Sequence, residues 1–354
     1  MEFNILNKSL EWVAVVDYFK SAIWTPRYYD VGDFEIYAEA SLDTLAALRQ
    51  DFFITRPDDD MVCIVDRVTI STDEEGGKYV TATGRSLQSI LSRRIVWSQT
   101  NLKGTVEDSV RRLITENIIS PSVADRKIDN FVLGERKGFS DTLEMQVTGD
   151  NLLDVVINLC KTYGYGFKIT LDDQKRFVFD LYQGQDRSYA QDINPRVIFS
   201  PNFDNVKSVD YTADKTDHKN VALIAGEGEG LDRKTAVSGS ARGLDRREVF
   251  VDARDLSTNA GGENEIPLDE YYKLLSERGS ETLAASVMTE SFEGAVEPAV
   301  NYLYKKDYFL GDIVQIENDF SITAAPRIIE IIECEDDSGY SMIPTFESGT
   351  AGEV

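Results

Sequence analysis

The segment AGEGEGLDR, residues 225–233, places glycines at alternate positions, Gly226, Gly228 and Gly230, with Arg233 just beyond them. Glycine-rich loops can cradle phosphate, because bare backbone N–H groups approach the anion closely. The intervening residues, however, are Glu227 and Glu229, whose carboxylates repel a bound anion. A dinucleotide loop also needs a helix opening directly after the glycines, so that its N-terminus meets the pyrophosphate. The sequence that follows, LDRKTAVSGSARGLDRREVFVDA, is polar and then β-rich, without a helical apolar period. The preceding VALIA (221–225) reads as a buried strand. The glycines are therefore read as geometric, marking a bulge or a sharply twisted strand end.

The remaining chemical inventory is short. The one histidine, His218, lies in the polar stretch TADKTDHKN. A Cys–His pair would need Cys63, Cys160 or Cys334 beside it. Cys160 falls on an apolar helix face and the other two fall in strands, so all three read as buried structural thiols. Zinc sites need three or four closely spaced His or Cys ligands, which the sequence lacks. Neither DDD (58–60) nor EDDSG (335–339) matches a calcium loop, and both read as solvated turns. Two carboxylates could hydrolyse a glycosidic bond, but among 62 acidic residues no pair stands out. A serine triad would have to use His218, and no G-x-S-x-G elbow accompanies it. The expectation is a chain that is not an enzyme and takes no cofactor and no metal.

Composition bounds what positions these residues. A chain of 354 residues with 42% hydrophobic residues buries a large core and divides into two to four domains. Its formal net charge of −25 makes it a poor candidate for holding nucleic acid, which needs Lys and Arg on phosphates. No apolar run approaches the roughly 18–20 residues that span a bilayer. The start, MEFNILNKSLEW, shows no secretory signal, and three scattered cysteines make no disulfide framework. A soluble protein made in a reducing compartment is expected.

Residues 10–37 alternate between apolar and polar, as strands do, and are broken at Pro26 and Gly32. MVCIVDRVTIS (61–71) and KYVTATG (78–84) form a strand pair about an acidic turn. SLQSILSRRI (86–95) has helical spacing in Leu87, Ile90, Leu91 and Ile95. From about residue 98 the character changes. Thr105 and Asp108 form a capping box, Val106, Val110, Leu113 and Ile114 share a helix face, and Pro121 stops the helix. GDNLLDVVINLCKTYGYG (149–166) predicts a second helix capped by Asp150, with Gly164 past its end, leading into strands GFKITLDD and RFVFDLY. Strands resume over 196–253, residues 254–265 read as a loop, and PLDEYYKLLSERGSETLAASVMTESF predicts two helices broken near Gly279. Strands follow Pro298.

Two parts of the chain resemble each other. YYDVGDFEIY (28–37) parallels DYFLGDIVQI (307–316), and IVDRVTISTDEEGGKYVTATG (64–84) parallels IIEIIECEDDSGYSMIPTF (328–346). Each set has aromatics, Gly-Asp, a strand, and then a hairpin with an acidic turn and a tyrosine, Tyr79 or Tyr340. The expected fold class is mainly β with inserted α+β parts: two related antiparallel β-barrels and two smaller inserted domains. The boundaries are 1–97 for the first barrel, 98–192 for an α+β insertion, 193–253 with 303–354 for the second barrel, and 254–302 for a helical insertion.

Four blocks, KSAIWTPRYYDVGDFEIYA (20–38), GRSLQSILSRRI, NVALIAGEGEGLDR and YLYKKDYFLGDIV, resemble in order those of a siphophage and prophage tail protein family, the tail-tip or baseplate hub. The resemblance runs from residue 10 to about 316. It implies a fold similar to the myophage baseplate hub, in which two barrels of like build pack around a channel. Three such chains form a homotrimer with a pseudo-sixfold ring that matches a sixfold tail tube. The implied partners are a hexameric distal tail protein or tail tube above and a tip, spike or fibre protein below. Tape measure and DNA pass through without specific binding, and the protein resides in the virion after synthesis in the bacterial cytoplasm. Within that fold Gly226, Gly228 and Gly230 serve bulges and corners. Gly32 and Gly311 open strands, with Asp33 and Asp312 placed to bond turn amides. Trp24, Arg27, Tyr28 and Arg233 are either interface anchors or ordinary barrel packing. The acids either line the lumen and repel DNA or coat the outside. Longer relatives carry lytic or fibre modules at the C-terminus, and the end at Val354 predicts no such module. The rival functions are a cell-wall hydrolase and a host-carbohydrate binder, the latter through Tyr163, Tyr165 or Tyr182.

Overall fold

In the computed structural model, which describes residues 1–258, 266–296, 301–317 and 323–348, the alternation of the N-terminal part becomes antiparallel sheet. β1 (Phe3–Leu6), β2 (Trp12–Val16), β3 (Ser21–Thr25) and β4 (Asp33–Glu39) precede a short helix, α1 (Leu42–Ala47), then β5 (Phe53–Arg56), β6 (Asp59–Thr72) and β7 (Lys78–Ser86). β4 shows the cause: Phe34, Ile36 and Ala38 are buried while Asp33, Glu35 and Tyr37 between them are half-exposed. Leu87–Arg93 forms a 3₁₀ helix that buries Leu87, Ile90 and Leu91 and leaves Ile95 outside.

The next segment holds β8 (Thr100–Thr105), α2 (Val106–Ile114), β9 (Phe131–Leu133), β10 (Thr142–Val147), α3 (Leu152–Tyr163), β11 (Gly166–Leu171) and β12 (Phe177–Tyr182). Thr105 Oγ1 accepts the Asp108 N–H at 3.1 Å, closing the capping box at the head of α2. The cap of α3 is Asn151, whose Oδ1 accepts the Leu153 N–H, rather than the expected Asp150. Asn151 also donates to the Ser92 carbonyl, which fixes it at that corner. The core of this segment is continuous with Tyr28, Val62, Ile64 and Leu87 of the preceding one.

Beyond it come β13 (Ile198–Phe199), β14 (Val206–Asp214), β15 (Val221–Ala225), β16 (Thr235–Gly239), β17 (Glu248–Asp252), α4 (Leu268–Ala285), β18 (Thr289–Val296), β19 (Gln315–Glu317), β20 (Thr323–Ala324), β21 (Pro326–Asp336) and β22 (Gly339–Ser348). Part of the loop read over 254–265, Pro298 and the last residues of the chain lie outside the described residues. The two helices expected near Gly279 are one, α4. Gly279 does not break it, because the glycine is there for proximity: a Cβ would strike Ile224 Cδ1 and lie 2.7 Å from Ser238 Oγ. α4 packs on β15–β17 through Tyr271, Leu274 and Leu275 against Ala222, Ile224 and Ala253. A boundary at 253/254 therefore cuts through a core. Gly279→Ala is expected to destabilise by about 1–3 kcal/mol through overpacking, although alanine alone favours a helix by ~1 kcal/mol. A lowered urea midpoint with unchanged helicity checks this.

The main sheet runs β14-β18-β22-β21-β3-β4-β7-β6-β5-β1-β2, and β3 pairs with β21 so that Trp24 faces Glu333 and Ala22 faces Glu335. Both ends of the chain thus share one sheet. Among the described residues its two edges, β2 and β14, do not pair with each other. The hairpins β6–β7 and β21–β22 are both present. The strands after the two Gly-Asp pairs differ, however. β4 lies beside β7, whereas Ile313 bridges Asp186 and Arg327 and β19 pairs with β13 and β20. The expected three-element repeat is not reproduced in the pairing, because Asp312 ties its segment to residues 185–187 instead.

Candidate functional site

Strand β21 turns three glutamates toward the N-terminal strands. Glu330 accepts from Arg27, Glu333 accepts from Arg56 Nη2 at 3.0 Å, and Glu335 pairs with the amino group of Met1. Arg56 also grips Asp58 with Nε and Nη2, at 3.0 and 2.6 Å, and its guanidinium sits 5.6 Å from the Trp24 ring centre. Lys305 bonds Asp59 at 2.7 Å and the Asp58 carbonyl at 2.8 Å, and Tyr340 donates to Glu333 at 2.9 Å. The Arg56 and Glu333 side chains are 2% and 3% exposed. Burial works against the Arg56 cation, but Asp58 and Glu333 outweigh it and raise its pKa. This row of ion pairs runs along the β3–β21 seam, where the two ends of the chain meet.

Tyr28 is the second fastening. It is fully buried, edge-on to Tyr29 and Tyr182 at 4.8 and 5.1 Å, with Arg327 stacked 5.3 Å over its ring. Its hydroxyl donates to the Gly164 carbonyl at 3.0 Å and accepts the Gly184 N–H at 3.2 Å. The ring occupies the space where a Cβ on Gly166 or Gly311 would lie. Gly311 has φ +95°, a left-handed conformation that suits glycine. Asp312 then accepts the Gln185 and Phe309 N–H groups, at 2.7 and 3.0 Å, and Arg187 Nε at 2.7 Å. Gly32 packs against Met61 and the Thr25 carbonyl, where a Cβ would come within 2.6 Å of each. Asp33 takes Arg27 rather than a turn amide. Trp24 and Tyr28 are thus fully buried within the chain, and Arg27 is half-buried on its ion pairs with Asp33 and Glu330.

The glycine loop closes on itself. Gly226 abuts the Tyr271 hydroxyl, which accepts the Glu227 N–H at 2.8 Å. Gly228 has φ +100°, which turns the chain back toward β16. Burial opposes ionisation of Glu227, but Lys234 and Thr258 bring its pKa down to about 2. Gly230–Asp232 is one 3₁₀ turn, not the start of a long helix. Arg233 donates to the Ala225 and Gly226 carbonyls and to Asp252. The carboxylate that would repel phosphate is the loop's own fastener.

The other singled-out groups are dispersed. His218 Nδ1 lies 3.2 Å from the Ser286 carbonyl. Cys63 and Cys160 belong to separate cores, and burial pushes both thiols up. Tyr165 is buried and stacked on Phe139, Tyr163 is half-buried, and Tyr182 lies against Tyr28. Among the described residues no three His, Cys, Asp or Glu side chains are placed to hold a metal. Among them also, no helix is long and apolar enough to cross a membrane.

One titrating group, Glu281, lines the gap between α4 and α3. Burial, partly offset by Arg278 and reinforced by Glu277 and Asp150, raises the Glu281 pKa from 4.5 to about 7. A carboxyl raised in the folded state binds more protons there than in the unfolded chain between these values. Its contribution is therefore present at pH 4.5 and lost as pH rises to about 7. Relative to wild type, Glu281→Gln should gain about 1–3 kcal/mol between pH 4.5 and 7.5. Urea unfolding of both chains at the two pH values checks the sign.

Over residues 2–346 the chain matches the model of the family described as Siphovirus ReqiPepy6 Gp37-like protein. Its fold is similar to that of the tail protein from Neisseria meningitidis MC58, with TM-score 0.59 and 13% identity over 98% of this chain and 96% of that one. The 43 kDa tail protein of prophage MuSo2 from Shewanella oneidensis gives TM-score 0.60 and 14% identity over 98% of each chain. Prophage tail protein gp18 from Listeria monocytogenes EGD-e gives 0.56 and 10% over 99% of this chain and 96% of that one. At these identities the likeness is one of fold. No curated protein matches the chain. With all but its first residue and its last few inside the family match, the chain belongs to the Siphovirus ReqiPepy6 Gp37-like family.

Proposed function

We propose that the chain is a structural hub of the tail tip, three copies of which form a ring that continues the tail tube. The observation that supports this most is the span of the family match, residues 2–346, which takes in both ends of the chain and the segments between them. In this reading the halves on either side of the β3–β21 seam are two barrel-like walls of unequal topology. The 98–192 segment and the α4 unit are insertions on the outside. Two walls per chain and three chains give six positions, which match a sixfold tube or distal tail protein above and a tip, spike or fibre below.

The open sheet supplies the geometry for such a contact. β2 is an edge carrying exposed Trp12 and Val15, and β14 is the opposite edge of the described ladder. A contact between β2 of one copy and the β14 side of the next is heterologous, and a suitable rotation closes it after three copies. The acidity gives the channel its property: carboxylates toward the lumen let DNA and tape measure pass without adhering. Three chains bring 3 × −25 = −75 into one ring, so facing acids oppose assembly most at low ionic strength. Weighing the isolated protein between about 20 and 500 mM salt tests this. Trimers that strengthen with salt are expected, and a stable dimer would rule the ring out.

A further inference from the structure

A cavity of about 730 Å³ opens where residues 57–61, 168–170, 182–185 and 304–312 meet. This lies within the ~300–1,000 Å³ usual for small-molecule sites. Its charges are already matched inside the chain. Asp60 pairs with Lys168, Asp59 with Lys305, Asp58 with Arg56, and Asp312 with Arg187. An ionic ligand would have to compete with these pairs, whereas a neutral one would not.

What the cavity leaves unmatched is neutral and polar. Gln88 is only 5% exposed and lines it, and its carboxamide hydrogen-bonds to no described residue. The Thr170, Tyr182 and Tyr304 hydroxyls also line it and also have no hydrogen-bond partner among the described residues. An amide on the cavity wall that no protein group engages is free to bond a ligand, and this one offers donors and an acceptor side by side. Met61, Ile169 and Leu310 add apolar wall between the polar groups. Paired donors and acceptors beside apolar patches fit the hydroxyls and C–H faces of a sugar ring.

We propose that this cavity binds a short neutral oligosaccharide, with Gln88 as its central hydrogen-bonding group. The site lies within one chain, so it does not depend on how copies assemble. The test is titration of the intact chain with maltotriose, cellotriose and N-acetylated chitotriose. It is followed by calorimetry and by the methyl resonance of Met61, with sialyllactose and inorganic phosphate as anionic controls. At least one neutral trisaccharide should shift Met61 saturably, while the anions should not. Gln88→Leu should weaken binding about 10-fold or more in a chain that still folds, since it removes the amide's donors and acceptor. Tyr304→Phe, which keeps the ring beneath Lys305, should weaken binding a few-fold in a folded chain. Trp97→Ala, in a different cavity, should bind as wild type does. The proposal is overturned if no neutral trisaccharide moves Met61, or if a folded Gln88→Leu variant binds as tightly as wild type.

Discussion

Replacing Glu333 with alanine is expected to destabilise the chain by about 3–5 kcal/mol, because Arg56 is left buried with its inner partner gone. Asp58 remains, but its side chain is 64% exposed and holds Arg56 from the solvent side. The loss comes from the stranded charge rather than from a large net value of the pair, since burying both ions already costs solvation. Arg56 Nη1 and Glu333 Oε1 in fact have no hydrogen-bond partner. The double variant Arg56→Met with Glu333→Leu should therefore recover most of the loss. Chemical unfolding of the two single variants and the double variant gives the coupling directly. Additive losses would show that the seam is not held as described.

Gly311→Ala should be comparably damaging. The left-handed backbone costs an alanine about 1–2 kcal/mol, and its methyl group would enter the Tyr28 ring. The ring cannot retreat, because Gly166 abuts it as well and its hydroxyl is bonded to Gly164 and Gly184. Strain and displaced packing together should reach about 3–5 kcal/mol. Hydrogen exchange should then show early opening of residues 164–187 against 309–312, with β6–β7 still protected. Uniform protection across both regions would mean that Tyr28 does not join them.

Much of the fold was legible where local rules act alone. The Thr105 capping box, the helix ending at Gly164 and the alternation of β4 are set by neighbours in sequence. Gly279 was misread because a helix-breaking residue and one selected for close approach look the same without the partner strand. Trp24, Arg27 and Tyr28 suit an interface by residue type, and their burial and the Arg27–Glu330 contact, 303 residues apart in sequence, appear only once the chain is folded. The seam itself left only a faint trace. Arg56 closes the otherwise uncharged strand FITR and Glu333 is one of several charges in PRIIEIIECED, and nothing local marks these two as the pair that is buried together. Gln88 gave no signal, since its isolation appears only once the surrounding segments are placed.

A reconstruction of the isolated tail tip is the sharpest test of the proposed ring, because it counts copies and shows which edges touch. Three copies of this chain are expected around the channel, each placing β2 toward the β14 side of its neighbour, with carboxylates facing the lumen. Six copies, or a ring whose contacts leave β2 in solvent, would contradict it.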